Sequence, residues 1–278
     1  MIIGSRDFDI GGRCYIVGIL NVTPDSFSDG GKWDTLDSAL RHAEDMIRGG
    51  ADIIDVGGES AKPGYAPISA QEEMDRAAPV IEALRGRFDI PLSIDTYKSA
   101  VAEAALCAGA DLVNDIWGFK HDPDMAGVAA RGGAACCLMH NRKRIDYIDF
   151  MPDMLNDLRE SARIAQNAGI ADDKIIIDPG IGFAKTYGMN LEVIKKLDAV
   201  RGLGYPVMLG ASRKSVIGLT LGLPETERVE GSLTAVVIGV MRGCSFVRVH
   251  DVSKTKRAVT MAEAILQNDL QCPAVFSR

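Results

Sequence analysis

Seven short apolar runs of this 278-residue chain end in polar residues whose types suit catalysis or ligand binding. Four of the runs end in Asn21, Asp55-Val56-Gly57-Gly58-Glu59, Asp95 and Asn114-Asp115, and three continue into Asp178-Pro179-Gly180-Ile181-Gly182-Phe183, Ser212-Arg213-Lys214-Ser215 and Arg248-Val249-His250. In a barrel of parallel strands, the carboxyl ends of all strands lie on one face, where the site is found. The pattern therefore predicts one chemical site built from distant segments, and it indicates an enzyme.

Basic and hydroxyl side chains are concentrated in the last two segments. Arg213 and Lys214 lie between two serines, and Arg248 and His250 lie two residues apart, so on a strand they share a face. Arginine offers oxyanions a planar fork and lysine a point charge. A single basic residue would more often form a salt bridge with a nearby Asp, but this group at adjacent strand ends favours a bound anion.

Acidic and amide side chains end three other runs, at Asp95, Asn114 and Asp178. An isolated buried carboxylate is costly, so each requires a donor partner. A flat heterocycle bearing N–H groups would supply such donors. The alternative is that a strand-end Asp caps the next helix, and for Asp95 alone the two interpretations are balanced. Three such groups in one barrel mouth favour the ligand.

Two long polar loops rich in glycine follow the first two runs, at residues 21–31 and 57–64. Loops of this kind close over sites and exclude water, whereas a single glycine would indicate only a surface turn. His140 follows the fifth run and is either catalytic or a hydrogen-bonded histidine at the barrel rim. Trp117 and Phe119 either stack on a ligand or pack in the core. The sequence contains no GxGxxG, P-loop lysine, nucleophile elbow or HExxH motif, which disfavours those enzyme classes.

The elements that must position these residues alternate along the chain. Strand-like apolar runs recur near residues 15–20, 52–57, 91–95, 111–115, 134–139, 174–178, 206–210 and 245–249. Helical patterns lie near residues 36–47, after the cap at 69–72, and at 98–108, 123–131, 152–168, 190–201, 225–242 and 253–267, with Pro79 expected to bend its helix or start a new segment. Eight strand–helix pairs predict a single (β/α)8 TIM barrel of the α/β class, and an open doubly wound sheet is the rival.

We expect one domain over residues 1–278, with an N-terminal β-hairpin at 1–14 and a loosely ordered tail at 268–278. A net charge of −7 argues against a broad surface for nucleic acid or an anionic membrane. Six cysteines without a CxxC pair favour reduced thiols in the cytoplasm. The first residues lack the apolar core of a signal peptide, and the most apolar stretch, 233–247, is too short to span a bilayer.

Several of these segments, in this order, resemble a known family. Residues 19–31 and 55–60 are similar to the two signature segments of the dihydropteroate synthase family, and residues 178–183, 212–215 and 248–250 match further motifs. The resemblance extends from about Tyr15 to Leu266. It implies a barrel enzyme of folate synthesis, a target of sulfonamides, that joins para-aminobenzoate to 6-hydroxymethyl-7,8-dihydropterin diphosphate. Diphosphate is released with the help of Mg²⁺, by a dissociative substitution at the pterin methylene.

The resemblance also assigns roles to individual positions. The pterin ring would be held by Asp95, Asn114, Asp178 and Lys214, in a pocket shaped by Ile116, Met139, Phe183 and Gly210. The diphosphate would be bound by Asn21, Arg248 and His250, and Asn21 would also contact the metal. The para-aminobenzoate site would be bordered by Phe27, Ser28, Lys62 and Ser215, and Asp29 would help to assemble it. The residues expected to act in catalysis are Asp29, Lys214, Arg248 and His250.

The sequence departs from the family pattern in the second loop. The family usually has Ser-Thr-Arg-Pro-Gly where this chain has Ser60-Ala61-Lys62-Pro63-Gly64, so a hydroxyl and a guanidinium are replaced. This difference keeps open a paralogue that binds pterin without turnover. A methyltetrahydrofolate–corrinoid methyltransferase is a further alternative, disfavoured by the basic cluster. Family members are commonly homodimers, and the apolar helix at 232–241 is a candidate contact.

Overall fold

The computed structural model describes residues 1–23, 32–59 and 66–267. The expected roles of Phe27, Ser28, Asp29 and Lys62, and the expected tail at 268–278, lie outside these residues. Within the described ranges, no helix is long and apolar enough to cross a membrane.

The chain begins with the predicted hairpin, in which Ile2–Ile3 (β1) pairs antiparallel with Arg6–Asp7 (β2). Eight parallel strands follow: Tyr15–Asn21 (β3), Ile53–Gly57 (β4), Leu92–Asp95 (β5), Leu112–Asp115 (β6), Ala135–Met139 (β7), Ile175–Asp178 (β8), Met208–Leu209 (β9) and Phe246–Val249 (β10). Each coincides with a predicted run, because strands buried on both faces are continuously apolar.

The strands close into a barrel. Neighbouring strands are hydrogen-bonded in the order β8-β7-β6-β5-β4-β3-β10-β9. The two ends of this order meet through a parallel bridge between Ile177 and Val207, and the Ile177 amide donates to the Pro206 carbonyl at 3.0 Å. The prediction of a TIM barrel is therefore confirmed, and the open sheet is excluded.

Ten helices are present in the described parts of the chain. They are Lys32–Arg48 (α1), Ala70–Arg87 (α2), Ser99–Cys107 (α3), Met125–Arg131 (α4), Phe150–Asn167 (α5), Tyr187–Lys195 (α6), Leu197–Arg201 (α7), Ser215–Leu221 (α8), Val229–Met241 (α9) and Val252–Gln267 (α10). Two 3₁₀ turns, Asp172–Lys174 and Glu225–Glu227, precede β8 and α9.

Two details of the helix prediction were wrong, and one alternative is excluded. The helix α2 begins after its predicted cap, Ser69, and continues through Pro79, so of the two predicted effects of this proline, a bend or a new segment, the new segment is excluded. Its packing on the barrel outweighs the one hydrogen bond that proline removes. The pattern at 190–201 is divided between α6 and α7. The helix α8 was not predicted, because only seven residues lie between Lys214 and its C-terminal glycine, Gly222, too few to show a helical period.

The barrel interior is built in layers, because every second residue of a strand points inward. One layer is apolar and packs under the hairpin; it includes Ile53, Leu112, Cys137, Ile176, Met208 and Phe246. Two residues further along the same six strands come Asp55, Asn114, Met139, Asp178, Gly210 and Arg248. Four of these six residues are polar, so the upper layer forms a largely polar floor at the carboxyl ends of the strands.

Candidate active site

A pocket of about 760 Å³ opens above this polar floor. All the predicted site residues that the structure describes line it: Asn21, Asp95, Asn114, Ile116, Met139, Asp178, Phe183, Gly210, Lys214, Ser215, Arg248 and His250. Side chains from β3, β5, β6, β7, β8 and β10 thus share one cavity with the loops that follow β6, β8 and β9. Its volume and its mixture of apolar walls with a few polar groups suit a small-molecule ligand.

Arg248 lies on the pocket floor between two carboxylates. Its Nε donates to Asp55 Oδ2 and its Nη2 donates to Asp95 Oδ2, both at 2.6 Å. Asn114 Nδ2 donates to the same Asp55 oxygen at 3.1 Å. The guanidinium is therefore oriented by β4 and β5, and Asp55 connects it to the amide of β6.

Asp55 is a residue of this site that the role assignment missed. Its side chain is fully buried, and its second oxygen, Oδ1, has no hydrogen-bond partner. The signal was present in the sequence as a single acid inside the run Ile54-Asp55-Val56, because a buried carboxylate requires a cationic partner. That partner, Arg248, lies on β10 and could not be identified from local pattern.

The charges on the floor perturb one another. Burial opposes the charge of Arg248, but Asp95 and Asp55 hold its pKa above the ordinary range. Burial raises the pKa of Asp95, against the effect of Arg248 and with that of Asp55. Two acids therefore share one cation, and Asp95 has a proton affinity well above that of a surface carboxyl.

The opposite wall combines Asp178, Lys214 and Phe183. Lys214 Nζ donates to the Ile181 carbonyl at 2.5 Å and lies 4.8 Å from the centre of the Phe183 ring. Burial lowers the pKa of Lys214 to about 8, with Asp178 opposing, and burial raises the pKa of Asp178. A side chain at Gly210 would come within 3.3 Å of Asp178 Oδ2, so a glycine there leaves both charged groups accessible.

Ser212 and His250 form the rim above β9 and β10. Ser212 Oγ lies 3.0 Å from His250 Nδ1 and also accepts from the His250 amide at 3.3 Å. Burial and the nearby cations Arg248 and Arg213 lower the pKa of His250 to about 4. At neutral pH His250 is therefore a neutral hydrogen-bonding group.

Arg213 does not act as the free anion ligand that the sequence suggested. Its Nε and Nη2 donate to the two oxygens of Asp251, at 2.9 and 2.8 Å. Its backbone is left-handed, with φ 58°, and its amide donates to Ser232 Oγ at 2.9 Å. For this residue the salt-bridge alternative is correct, and the side chain braces the loop that carries Ser212 and Lys214.

His140, which the sequence left open as a catalytic residue, is fully buried and does not line the pocket. Its Nε2 lies 3.1 Å from Asp157 Oδ2 and its Nδ1 lies 2.8 Å from Lys185 Nζ. This geometry supports the hydrogen-bonded alternative over catalysis. Phe119 is buried, and Trp117 is half-buried with its ring 5.7 Å from that of His121; neither lines the pocket.

Because His140 is buried, we expect the free energy of unfolding to fall at acidic pH. Burial lowers its pKa from 6.5 to about 4, so the unfolded chain takes up this proton first as the pH falls. The stability that depends on neutral His140 is complete above pH 6.5 and is lost as the pH falls through about 4, a decrease of about 3 kcal/mol. Urea unfolding across this range should show a shallower pH dependence for His140→Gln than for the wild type. The exposed His42 provides the control, because His42→Gln should keep the wild-type slope; equal slopes for all three proteins would refute the assignment.

The fold and site define a barrel enzyme for small molecules, and the family described as pterin binding enzyme matches residues 17–250. The dihydropteroate synthase of Clostridium beijerinckii is 57% identical over 96% of this chain and all of its own length. A crystal structure of the Clostridium difficile dihydropteroate synthase with pteroic acid is 47% identical, with a TM-score of 0.91, and the match covers 93% of this chain and 99% of that one. A Yersinia pestis dihydropteroate synthase in complex with a sulfonamide drug is 41% identical, with a TM-score of 0.90, over 96% and 99% of the two chains. The chain belongs to the dihydropteroate synthase family, whose members are transferases.

Proposed function

We propose that this chain joins para-aminobenzoate to 6-hydroxymethyl-7,8-dihydropterin diphosphate in the cytoplasm, giving 7,8-dihydropteroate and diphosphate. The observation that carries the proposal is the pocket itself, in which the acceptors Asp95, Asn114 and Asp178 and the cations Lys214 and Arg248 line one cavity. A pterin has amino and ring N–H groups for the acceptors, together with a ring oxygen and nitrogens for the lysine. The diphosphate requires the positive charge and the hydrogen-bonding rim.

The pterin ring is proposed to lie between the β5–β6 side and the β8–β9 side of the pocket. Asp95, Asn114 and Asp178 accept or donate along its edge, and Lys214 donates to it. Ile116, Met139, Phe183 and Gly210 form the apolar walls that match a flat ring. Buried carboxylates discriminate strongly between ligands, since a ligand without N–H groups would leave them unpaired.

Asn21, Arg248 and His250 are proposed to hold the diphosphate. The described residues contain no cluster of three acidic, histidine or cysteine ligands. Mg²⁺ commonly binds through one or two protein oxygens, with substrate phosphates and water completing its shell, so the single amide oxygen of Asn21 at this pocket fits that ion. When bound, Mg²⁺ would neutralise charge on the phosphate oxygens.

The chemical step is proposed to be a dissociative substitution. The C–O bond to the diphosphate breaks with its electron pair leaving on oxygen, while the charge of Arg248 and the hydrogen bonds of His250 and Asn21 stabilise the leaving group. The pterin ring delocalises the positive charge left on the methylene carbon. The amine of para-aminobenzoate then forms the C–N bond and loses a proton. No covalent enzyme intermediate is needed.

The para-aminobenzoate site is proposed to lie beside Ser215, at the start of α8 and on the pocket wall. Phe27, Ser28, Asp29 and Lys62 are proposed to complete it from the first two loops, where they lie outside the described residues. Because a Yersinia pestis relative is seen with a sulfonamide drug, we expect a sulfonamide to raise the KM for para-aminobenzoate without changing kcat. A fall in kcat at unchanged KM would argue against competition at this site.

A homodimer is proposed as the working assembly. Exposed apolar side chains occur on three consecutive helices, α8, α9 and α10: Leu219, Leu221, Met241, Met261, Ile265 and Leu266. The predicted contact helix, residues 232–241, overlaps α9. Burying these side chains in a second copy would be favourable. Sedimentation equilibrium tests this assembly, and a monomer at micromolar concentration would refute it.

The decisive experiment measures diphosphate release by the purified protein with pterin diphosphate and Mg²⁺, with and without para-aminobenzoate. Release that requires para-aminobenzoate and yields dihydropteroate would establish the function, and would show that Ala61 and Lys62 are tolerated. Binding of the pterin diphosphate without release would instead support the non-catalytic paralogue that the second loop leaves open. Methyl transfer to a corrinoid without diphosphate release would overturn the proposal.

A further inference from the structure

Lys185 is a buried lysine behind the wall of the pocket. Only 9% of its surface is exposed, and it is absent from the pocket lining. None of the reaction steps proposed above uses it. An ammonium group in such a place is costly unless its protons have acceptors, so its surroundings must explain why it is there.

The surroundings supply three acceptors. Lys185 Nζ lies 2.9 Å from the Gly180 carbonyl, 3.1 Å from the Phe183 carbonyl and 2.8 Å from His140 Nδ1. An ammonium has three donors and no acceptor, so these contacts use all its protons. His140 must then accept at Nδ1 and carry its own proton on Nε2, which donates to Asp157 Oδ2 at 3.1 Å. One protonation state and one imidazole tautomer satisfy every atom.

Arg142 completes this row of groups, whose last two members, Asp157 and Arg142, are half-buried. Its Nε and Nη2 donate to the two oxygens of Asp157, at 2.6 and 3.2 Å. Burial opposes ionisation of Asp157, but hydrogen bonds from His140 and Arg142 hold its pKa well below the usual range. The row therefore runs from a cation through a neutral imidazole to an anion and a second cation, and it anchors Lys185 from the outside of the barrel.

The carbonyls that Lys185 binds belong to a conformationally unfavourable turn, residues 180–184. Gly180, Gly182 and Ala184 all have positive φ angles, 70°, 85° and 43°. The last is unfavourable for a residue with a side chain, so external contacts must hold the turn. Lys185 donates to the turn from the side away from the pocket, and Lys214 Nζ donates to the Ile181 carbonyl from the pocket side at 2.5 Å.

This turn carries two of the residues proposed to bind the pterin. Asp178 Oδ1 accepts from the Gly180 amide at 2.7 Å, so the position of its carboxylate depends on the turn. Phe183 lies within the turn, and Lys185 donates directly to its carbonyl. A displacement of the turn would move the carboxylate and the aromatic wall together.

We propose that Lys185 is a positioning residue for the pterin subsite, its ammonium holding the 180–184 turn so that Asp178 and Phe183 are kept in their ligand-binding positions. The inference rests on the proposed function, because it takes these two residues to contact the pterin. It assigns to Lys185 no contact with substrate.

The clamp has a pH signature. Burial lowers the pKa of Lys185 to about 7, with Asp178 opposing and Lys214 reinforcing the shift. The charged and titratable groups that face it are Asp178, Lys214, His140, Asp157 and Arg142. Below this pKa all three hydrogen bonds are donated, and above it one donor is lost. Affinity for the pterin diphosphate should therefore weaken as the pH rises through about 7.

The first test compares Lys185→Met with the wild type. Calorimetric Kd for the pterin diphosphate, without para-aminobenzoate, should rise by at least about tenfold, and KM for it should rise similarly while kcat changes far less. Lys174→Met is the matched control, because that ammonium also binds a glycine carbonyl, Gly133 at 2.5 Å, but before β8 at the other end of the strand. A Kd within about threefold of the wild type, whatever the change in Tm, would overturn the inference.

The second test uses Lys185→Arg, which keeps a charge at all accessible pH values. Its loss of pterin affinity with rising pH should shift upward by about one pH unit or more relative to the wild type. Lys214 titrates in both proteins, so the difference between the profiles reports on Lys185. Identical profiles would overturn the inference even if Lys185→Met does not fold. If the wild type itself failed to bind the pterin diphosphate, the proposed function would fail instead.

Discussion

Replacing Lys214 with alanine is expected to abolish measurable turnover while leaving the barrel folded. The side chain lines the pocket, contacts the Phe183 ring and lies beside Asp178, so its loss removes the cation proposed to donate to the pterin. Removing one preorganised donor from a dry site costs about 10²–10³-fold. The loss here should reach at least the upper value, because Asp178 also loses its counter-charge. Steady-state kcat/KM with varied pterin diphosphate measures the effect.

The fold should survive this change. The pKa of Lys214 is lowered by burial to about 8, which means that its charge is a cost to the folded state as well as a partner for Asp178. We expect the thermal midpoint to change by only a few degrees, at most about 5 °C. The control is Lys196→Ala, which should retain full activity. Lys196 is exposed, caps the C-terminus of α6 and pairs with Glu192 of the same helix. Near wild-type turnover in Lys214→Ala would show that the pterin subsite is wrongly placed.

Replacing Arg248 with alanine should abolish turnover and also destabilise the protein, by about 3–5 kcal/mol at neutral pH. The guanidinium forms salt bridges with both Asp55 and Asp95 on the pocket floor. Its removal leaves the fully buried Asp55 and the half-buried Asp95 without a cation. Equilibrium unfolding in urea, together with the diphosphate assay, separates the two effects.

The sign of the pH dependence identifies the cause. The pKa of Asp95 is already raised in the folded protein by burial, and loss of Arg248 raises it further. A raised folded-state pKa gives stability that is present at acidic pH and is lost as the pH rises through that pKa. Arg248→Ala should therefore recover stability relative to the wild type as the pH falls towards 4. Adding Asp55→Asn should restore part of the stability at neutral pH but none of the turnover. If the double variant were no more stable than Arg248→Ala, the pairing with Asp55 would not be the source of the destabilisation.

The strands, and the residues that end them, were predictable because both signals are local. A strand buried on two faces reads as a short apolar run, and the polar residue at its end stands where the run stops, as in Ile94-Asp95 and Val113-Asn114. Placing all the described site residues in one pocket required only the rule that carboxyl ends of barrel strands share a face. The family resemblance then supplied roles, which remain proposals for each residue.

The pairings between these residues were decided by the closed barrel. Arg248 meets Asp55 across 193 positions of sequence, and Lys185 meets His140 across 45. Nothing local distinguishes Arg213, whose guanidinium pairs with Asp251, from its neighbour Lys214, whose ammonium lies over the Phe183 ring. The sequence by itself determined which residues stand at the strand ends, because side-chain period and run length are local properties. Only the tertiary structure decided which of them pair with each other and which remain for a ligand, because barrel closure fixes the distances between strands.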